Sequence, residues 1–101
     1  MDFTANERMA INFLLVKLMK SDGKTDTNEA ITLYEINNHI KVSINESDKS
    51  LKMNYDECKG IINSMEGYKR QIAKGYFDHM AKIDGEVANV EQEIINDLFG
   101  L

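Results

Sequence analysis

Leu18-Met19-Lys20-Ser21-Asp22-Gly23-Lys24-Thr25-Asp26-Thr27-Asn28-Glu29 returns 62 residues later as Met80-Ala81-Lys82-Ile83-Asp84-Gly85-Glu86-Val87-Ala88-Asn89-Val90-Glu91. Lys20, Asp22, Gly23 and Glu29 recur as Lys82, Asp84, Gly85 and Glu91, and apolar positions correspond at the same offset: Leu14 with Tyr76, Leu15 with Phe77, Leu18 with Met80, Leu33 with Ile95 and Ile36 with Leu98. Self-similarity at a fixed offset marks a repeated supersecondary unit. Each unit reads as a helix, an Asp-Gly turn and a second helix entered by a Glu seven residues after the Asp. Glycine suits such a turn because it adopts the left-handed conformation that ends a helix.

Outward from the first unit, Thr4-Ala5-Asn6-Glu7 has the spacing of a capping box, which starts a helix running to about Ser21. Between Met9 and Met19 only Asn12 and Lys17 are polar, too apolar for a helix with a wet face, so this helix belongs at the centre of a bundle. Lys17, Lys20 and Lys24 gather at its end, where the helix dipole favours cations. Asp26-Thr27-Asn28-Glu29 opens a second helix over 27–40, with Ile31, Leu33, Tyr34, Ile36 and Ile40 at helical intervals. Ser43-Ile44-Asn45-Glu46 opens a short third helix reaching toward Leu51 and Met53, and Asn54-Tyr55-Asp56-Glu57 a fourth, which carries Cys58, Ile61, Ile62 and Met65 until Gly67 lets the chain turn. A fifth helix over 68–83 carries Tyr68, Ile72, Tyr76, Phe77, Met80 and Ile83 on one stripe, and a sixth from 89 carries Val90, Ile94, Ile95, Leu98 and Phe99. The chain has no Pro, no Trp and six Gly, so the punctuation of a strand-and-turn protein is missing. The expectation is an all-α fold: a compact bundle of five to seven helices containing two pseudo-repeated helix–Asp-Gly turn–helix hairpins. At 101 residues the span 1–101 reads as one domain.

Twelve Lys and Arg against seventeen Asp and Glu give a net charge of -5, a poor footprint for nucleic acid or an anionic membrane surface. A protein partner with a basic surface fits better, with no nucleic acid and no membrane insertion. The N-terminus lacks the basic region of a secretory signal, and Phe13-Leu14-Leu15-Val16 is far too short to span a bilayer; cytoplasmic residence is the expectation. Cys58 stands alone among the apolar residues of its helix, so it reads as a core residue, and no intrachain disulfide is possible. His39 and His79 have no His-x-x-x-His or Cys-x-x-Cys spacing beside them and read as ordinary helix residues. Lys69, Arg70 and Lys74 read as a solvated face. With no nucleophile elbow, P-loop or Gly-rich phosphate cradle, the chain is not expected to be an enzyme.

The two apolar-apolar-x-x-Asp-Gly-x-x-x-x-x-Glu units, Leu18 to Glu29 and Met80 to Glu91, together with the closing Leu98-Phe99-Gly100-Leu101, resemble the TerB-like family, named for tellurite-resistance proteins and also found as the N-terminal helical domain of some membrane-anchored co-chaperones. The resemblance covers nearly the whole chain. It implies a helical domain with internal pseudo-twofold character, acidic residues of the two turns near one another, a role in metal binding or stress-linked interactions, and no established catalytic reaction. One departure is that the position of Asp26 in the first unit holds Ala88 in the second, which puts equivalence of the two turns in doubt.

Two readings of the turns stand. In one, Asp22, Glu29, Asp84 and Glu91 are oxygen ligands, with Asp26 and Glu86 as auxiliaries, for a hard divalent cation such as Ca²⁺, Mg²⁺ or Mn²⁺. In the other, they are helix punctuation: Glu29 partners Asp26 in its capping box, Asp22 bonds its own turn, and Glu91 gains the dipole benefit of a first-turn carboxylate, with Asn89 and Gln92 able to supply a substitute box. Neither loop is an EF-hand, because the sixth and twelfth places counted from Asp22 are Thr27 and Leu33, and from Asp84 are Asn89 and Ile95. The function these readings support is a non-catalytic binding module tuned by a divalent cation; the alternative is a metal-independent interaction domain, an acidic adaptor, inhibitor or immunity-type protein.

Overall fold

The structure, a computed structural model, describes residues 3–21, 23, 27–83 and 89–100. Among these it contains six helices and no strand: α1 Ala5–Lys20, α2 Thr27–Ile40, α3 Ile44–Ser50, α4 Tyr55–Ser64, α5 Gly67–Lys82 and α6 Asn89–Phe99. The starts expected from the sequence hold because their chemistry is local. Thr4 Oγ1 accepts the Glu7 N–H at 3.1 Å while Glu7 Oε1 accepts the Thr4 N–H at 2.8 Å, and Ser43 and Glu46 repeat that exchange at 3.1 Å each. Asn54 Oδ1 accepts the Glu57 N–H at 2.8 Å. Each bond satisfies a donor that the first helical turn leaves over.

The helix ends are less uniform. Gly23 has φ 77° and its N–H reaches the Lys20 carbonyl at 3.1 Å, the left-handed stop expected for α1. At the end of α2 the same role falls to Lys41, at φ 66°, with the Val42 N–H donating to the Asn37 carbonyl at 2.9 Å. A side chain there costs on the order of 1 kcal/mol that glycine would not. Gly67 does not end α4 as the sequence suggested. It is the first residue of α5, and the chain turns through Met65 and Glu66 with extended ψ of 151° and 149°.

α1 runs through the middle and packs on α2, α3, α4 and α5, while α6 closes the bundle against α4 and α5. The fold is compact, with a Cα radius of gyration of 12.4 Å where roughly 13 Å is ordinary for about 100 residues. Ile11, Leu14, Leu15 and Leu18 of α1 are fully buried with Ile62, Phe77, Met80, Ile95 and Leu98, and the Phe77 and Phe99 rings meet edge to face at 5.4 Å. Asn12, the lone polar residue in the first half of that apolar run, has a purpose: its Nδ2 donates to Ser50 Oγ at 2.7 Å, its Oδ1 accepts from Asn37 Nδ2 at 2.8 Å, and Ser50 Oγ passes a hydrogen bond on to the Ser47 carbonyl at 2.7 Å. This chain ties α2, α1 and α3 together through their buried faces. The apolar stripes of α2 and α5 are narrower than the sequence suggested, for Ile31, Tyr34, Tyr68 and Ile72 are exposed.

Candidate functional site

Of the four carboxylates expected to form a metal site, Asp22 and Asp84 lie outside the described residues, as do Asp26 and Glu86. Glu29 and Glu91 are both placed in the first turn of their helices, α2 and α6. They are also almost wholly buried, at 4% and 5% exposure. A buried carboxylate is costly unless hydrogen-bonded or paired, and both Glu29 and Glu91 do make polar or electrostatic contacts, while the positive end of each helix dipole adds to them. Among the described residues, no group of three or more His, Cys, Asp or Glu side chains is placed to hold a metal ion.

A second concentration of ionisable groups was not expected. Thr32, Glu35, Ile36 and His39 of α2 face Tyr76 and His79 of α5 across an open groove of about 330 Å³. The edge of one ring meets the other between His39 and Tyr76, with centroids 6.0 Å apart, and burial raises the Tyr76 hydroxyl above its ordinary pKa. The sequence signal was weak: Glu35 and His39 at i and i+4, Tyr76 and His79 at i and i+3, with nothing to say that the two helices face each other. Thr32 lies one turn into α2 and His79 one turn from the end of α5. The groove thus follows the middle and C-terminal turns of α2, from Thr32 to His39, against the second half of α5.

The basic face of α5 turns out to be a row of fasteners. Lys69 Nζ reaches Glu7 Oε1 at 3.1 Å. Arg70 donates to Asn63 Oδ1 at 3.0 Å and to the Leu98 carbonyl at 3.2 Å, with its guanidinium 5.3 Å from the Phe99 ring centroid. Lys74 pairs with Asp78 at 2.8 Å. Between α4 and α6, Asp97 accepts from the Tyr55 hydroxyl at 2.6 Å and from Lys59 at 2.9 Å; these two contacts hold its carboxyl below the ordinary range, while burial and then Asp97 push the Tyr55 hydroxyl up. Cys58 is fully buried, and burial pushes its thiol up to about 11, the opposite of what a nucleophile needs. No described helix is long and apolar enough to cross a membrane. In comparisons with protein-family models, with curated proteins and with solved structures, nothing matches this chain.

Proposed function

We propose that the chain is a non-catalytic cytoplasmic binding module of the TerB-like type, in which two pseudo-repeated helix–Asp-Gly turn–helix hairpins bring Asp22, Glu29, Asp84 and Glu91 around a divalent cation, Ca²⁺, Mg²⁺ or Mn²⁺. The observation that carries this reading is the matched burial of Glu29 and Glu91, the two carboxylates that occupy equivalent places in the sequence repeat. An ion held there neutralises the carboxylates and stabilises the folded state by mass action, about 2.7 kcal/mol at a hundredfold excess over Kd. The test is thermal unfolding of chelator-stripped protein with and without millimolar Ca²⁺, Mg²⁺ or Mn²⁺, repeated on Asp22→Asn/Asp84→Asn. A rise in midpoint with one ion, absent in the variant, is expected; no shift with any ion overturns the cation site.

A second reading, a metal-independent interaction domain that engages a basic partner, draws support from the apolar residues left exposed on α2 and α5, Ile31, Tyr34, Tyr68 and Ile72. Under it the Asp22→Asn/Asp84→Asn variant keeps its stability and loses association rate and salt dependence toward the partner. Glu91 is unsuited to this discrimination, because altering a buried carboxylate disturbs folding under either reading.

A further inference from the structure

The groove between α2 and α5 is lined by side chains with polar capacity to spare. Glu35 and His39 stand one turn apart on α2, facing Tyr76 and His79 of α5, and none of these four makes a hydrogen bond or ion pair among the described residues. Thr32 and Ile36 are buried beneath them. The Thr32 hydroxyl donates to the Asn28 carbonyl at 2.8 Å, which leaves its oxygen able to accept. A neutral imidazole likewise offers one acceptor nitrogen.

The one formal charge among the lining residues is the Glu35 carboxylate. The other charged residues of the two helices lie elsewhere or are occupied. On α5, Lys69 pairs with Glu7, Arg70 reaches the end of α6 and Lys74 pairs with Asp78. Glu66 sits at the opposite end of that helix, and Lys82 follows His79 by one turn without lining the groove. On α2, Glu29 is buried and Lys41 lies beyond the helix end. Helix polarity adds to Glu35: His39 and His79 stand in the last turns of α2 and α5, so the groove meets the negative ends of two helix dipoles. An anion is disfavoured there. A bare metal ion is disfavoured too, because no three ligating side chains are placed to hold one among the described residues.

An organic cation fits these surroundings, and a guanidinium fits better than an ammonium. It is planar, gives two parallel N–H bonds to one carboxylate, stacks on aromatic rings and is the more weakly hydrated. The groove, at about 330 Å³, has room for the head and stem of one such side chain. Apolar surface continues beyond it on both helices, for Ile31, one turn before Glu35, is 51% exposed and Ile72, one turn before Tyr76, is 38% exposed. Free arginine would leave both uncovered, whereas an arginine with apolar neighbours covers them.

We infer that the α2–α5 groove binds an arginine side chain from an apolar-flanked segment of a partner protein, Glu35 pairing with the guanidinium beside the His39 and Tyr76 rings while Ile31 and Ile72 receive the flanking residues. Asp22, Glu29, Asp84 and Glu91 take no part, so the site stands or falls apart from a cation at the acidic turns. The test is NMR titration of the full chain with acetyl-leucyl-arginyl-leucinamide, with its citrulline and lysine counterparts, and with free arginine. Citrulline keeps the shape of arginine without the charge, and lysine keeps the charge without the plane. The arginine tripeptide is expected to shift the amides of Glu35, His39, Tyr76 and His79 saturably and to bind roughly fivefold or more tighter than each of the other three. Glu35→Gln removes its advantage over citrulline, and Ile72→Ser its advantage over free arginine. Both residues are exposed, so unchanged unfolding midpoints show that the variants keep the fold. No saturable shift in the groove, equal affinity for the citrulline or lysine peptide, or an arginine preference that survives Glu35→Gln overturns the proposal. Free arginine binding as tightly as the tripeptide overturns the partner segment and assigns the groove to a small guanidinium compound.

Discussion

α1 and α5 occupy equivalent places in the sequence repeat and are both 16 residues long, yet the bundle holds them in different ways. α1 has neighbours on four sides and buries seven of its residues. α5 lies at the side of the core, and it is fixed from outside as well, by Lys69 to Glu7 and by Arg70 to the end of α6. The ionic fastening of the central helix is confined to its first turns, at Glu7 and Arg8, and the cations in its last turns, Lys17 and Lys20, make no ion pair among the described residues. A peripheral helix has less apolar area to hold it, and its cations supplement that area. The same residue type thus has different consequences at matched positions, which charge counts along the sequence do not reveal.

The largest effect is expected where α1 does carry a fastener. Arg8 donates from Nε to Glu46 at 3.0 Å and through Nη2 to the other carboxylate oxygen, and from Nη1 to the Phe3 carbonyl at 2.6 Å, with both side chains of the pair mostly covered. Arg8→Ala leaves a partly buried carboxylate and a carbonyl without these donors, a loss of about 2 kcal/mol. That corresponds to a fall of roughly 10 °C in midpoint for a domain of this size, measurable by thermal unfolding followed by circular dichroism. A loss below about 0.5 kcal/mol erases the distinction between fastening cations and free ones.

Acid sharpens the same contrast. Hydrogen bonds from Arg8, working against burial, hold the Glu46 carboxyl below its ordinary value of 4.5. At Glu7 burial pushes upward but is outweighed by the Thr4 N–H and the Lys69 ammonium, so its carboxyl also lies below 4.5. A carboxylate depressed in the folded state adds stability that is fully present above its unfolded pKa and is lost as pH falls through its folded one. Wild-type stability is therefore expected to decline as pH drops below about 4.5, and Arg8→Ala/Lys69→Ala to decline less steeply over that range in urea titrations at stepped pH. Equal slopes would show that these two glutamates do not carry the acid response.

The two helix ends with left-handed residues offer a smaller test. α1 stops at Gly23 and α2 at Lys41, with φ of 77° and 66°, and the hydrogen bond from Val42 to Asn37 needs backbone only. Lys41→Gly removes the steric cost while loosening the unfolded chain, for a net gain of about 0.5–1 kcal/mol in chemical denaturation. A loss instead of a gain would mean that the Lys41 side chain contributes to holding α2 in place.

The parts of the fold legible in the sequence are those whose cause is local. The capping pairs Thr4–Glu7 and Ser43–Glu46 and the cap at Asn54 sit within four residues of chain, and the structure reproduces them bond for bond. The centrality of α1 was legible because Met9 to Met19 leaves no wet face. What failed to show was anything that depends on which helix lies opposite. Ile31 and Tyr34 have the right period for burial, but nothing local says whether a neighbour covers them. His39 and His79, in helices far apart in the chain, meet across a groove only because α2 packs on α5. The candidate site was half legible in the same sense: the repeat singled out Glu29 and Glu91, and their burial depends on tertiary packing that the repeat does not encode.

The smallest predicted effect bears most directly on the comparison. Lys20→Gln/Lys49→Gln/Lys52→Gln removes three cations that make no ion pair among the described residues, and surface substitutions of this kind stay within about 0.5 kcal/mol. Lys17→Gln belongs slightly apart, because its ammonium sits 5.4 Å from the Tyr55 ring centroid, a contact worth roughly 0.5 kcal/mol at an exposed site. Stability in urea should thus be unchanged in the triple variant and marginally lower once Lys17 is added. The net charge moves from -5 to -8 on loss of three cations, so a drop above about 1 kcal/mol that is relieved by salt would point to general repulsion among the remaining carboxylates. A drop that persists in salt would make these lysines fasteners like those of α5, and the central helix would then lose its claim to freely disposable charge.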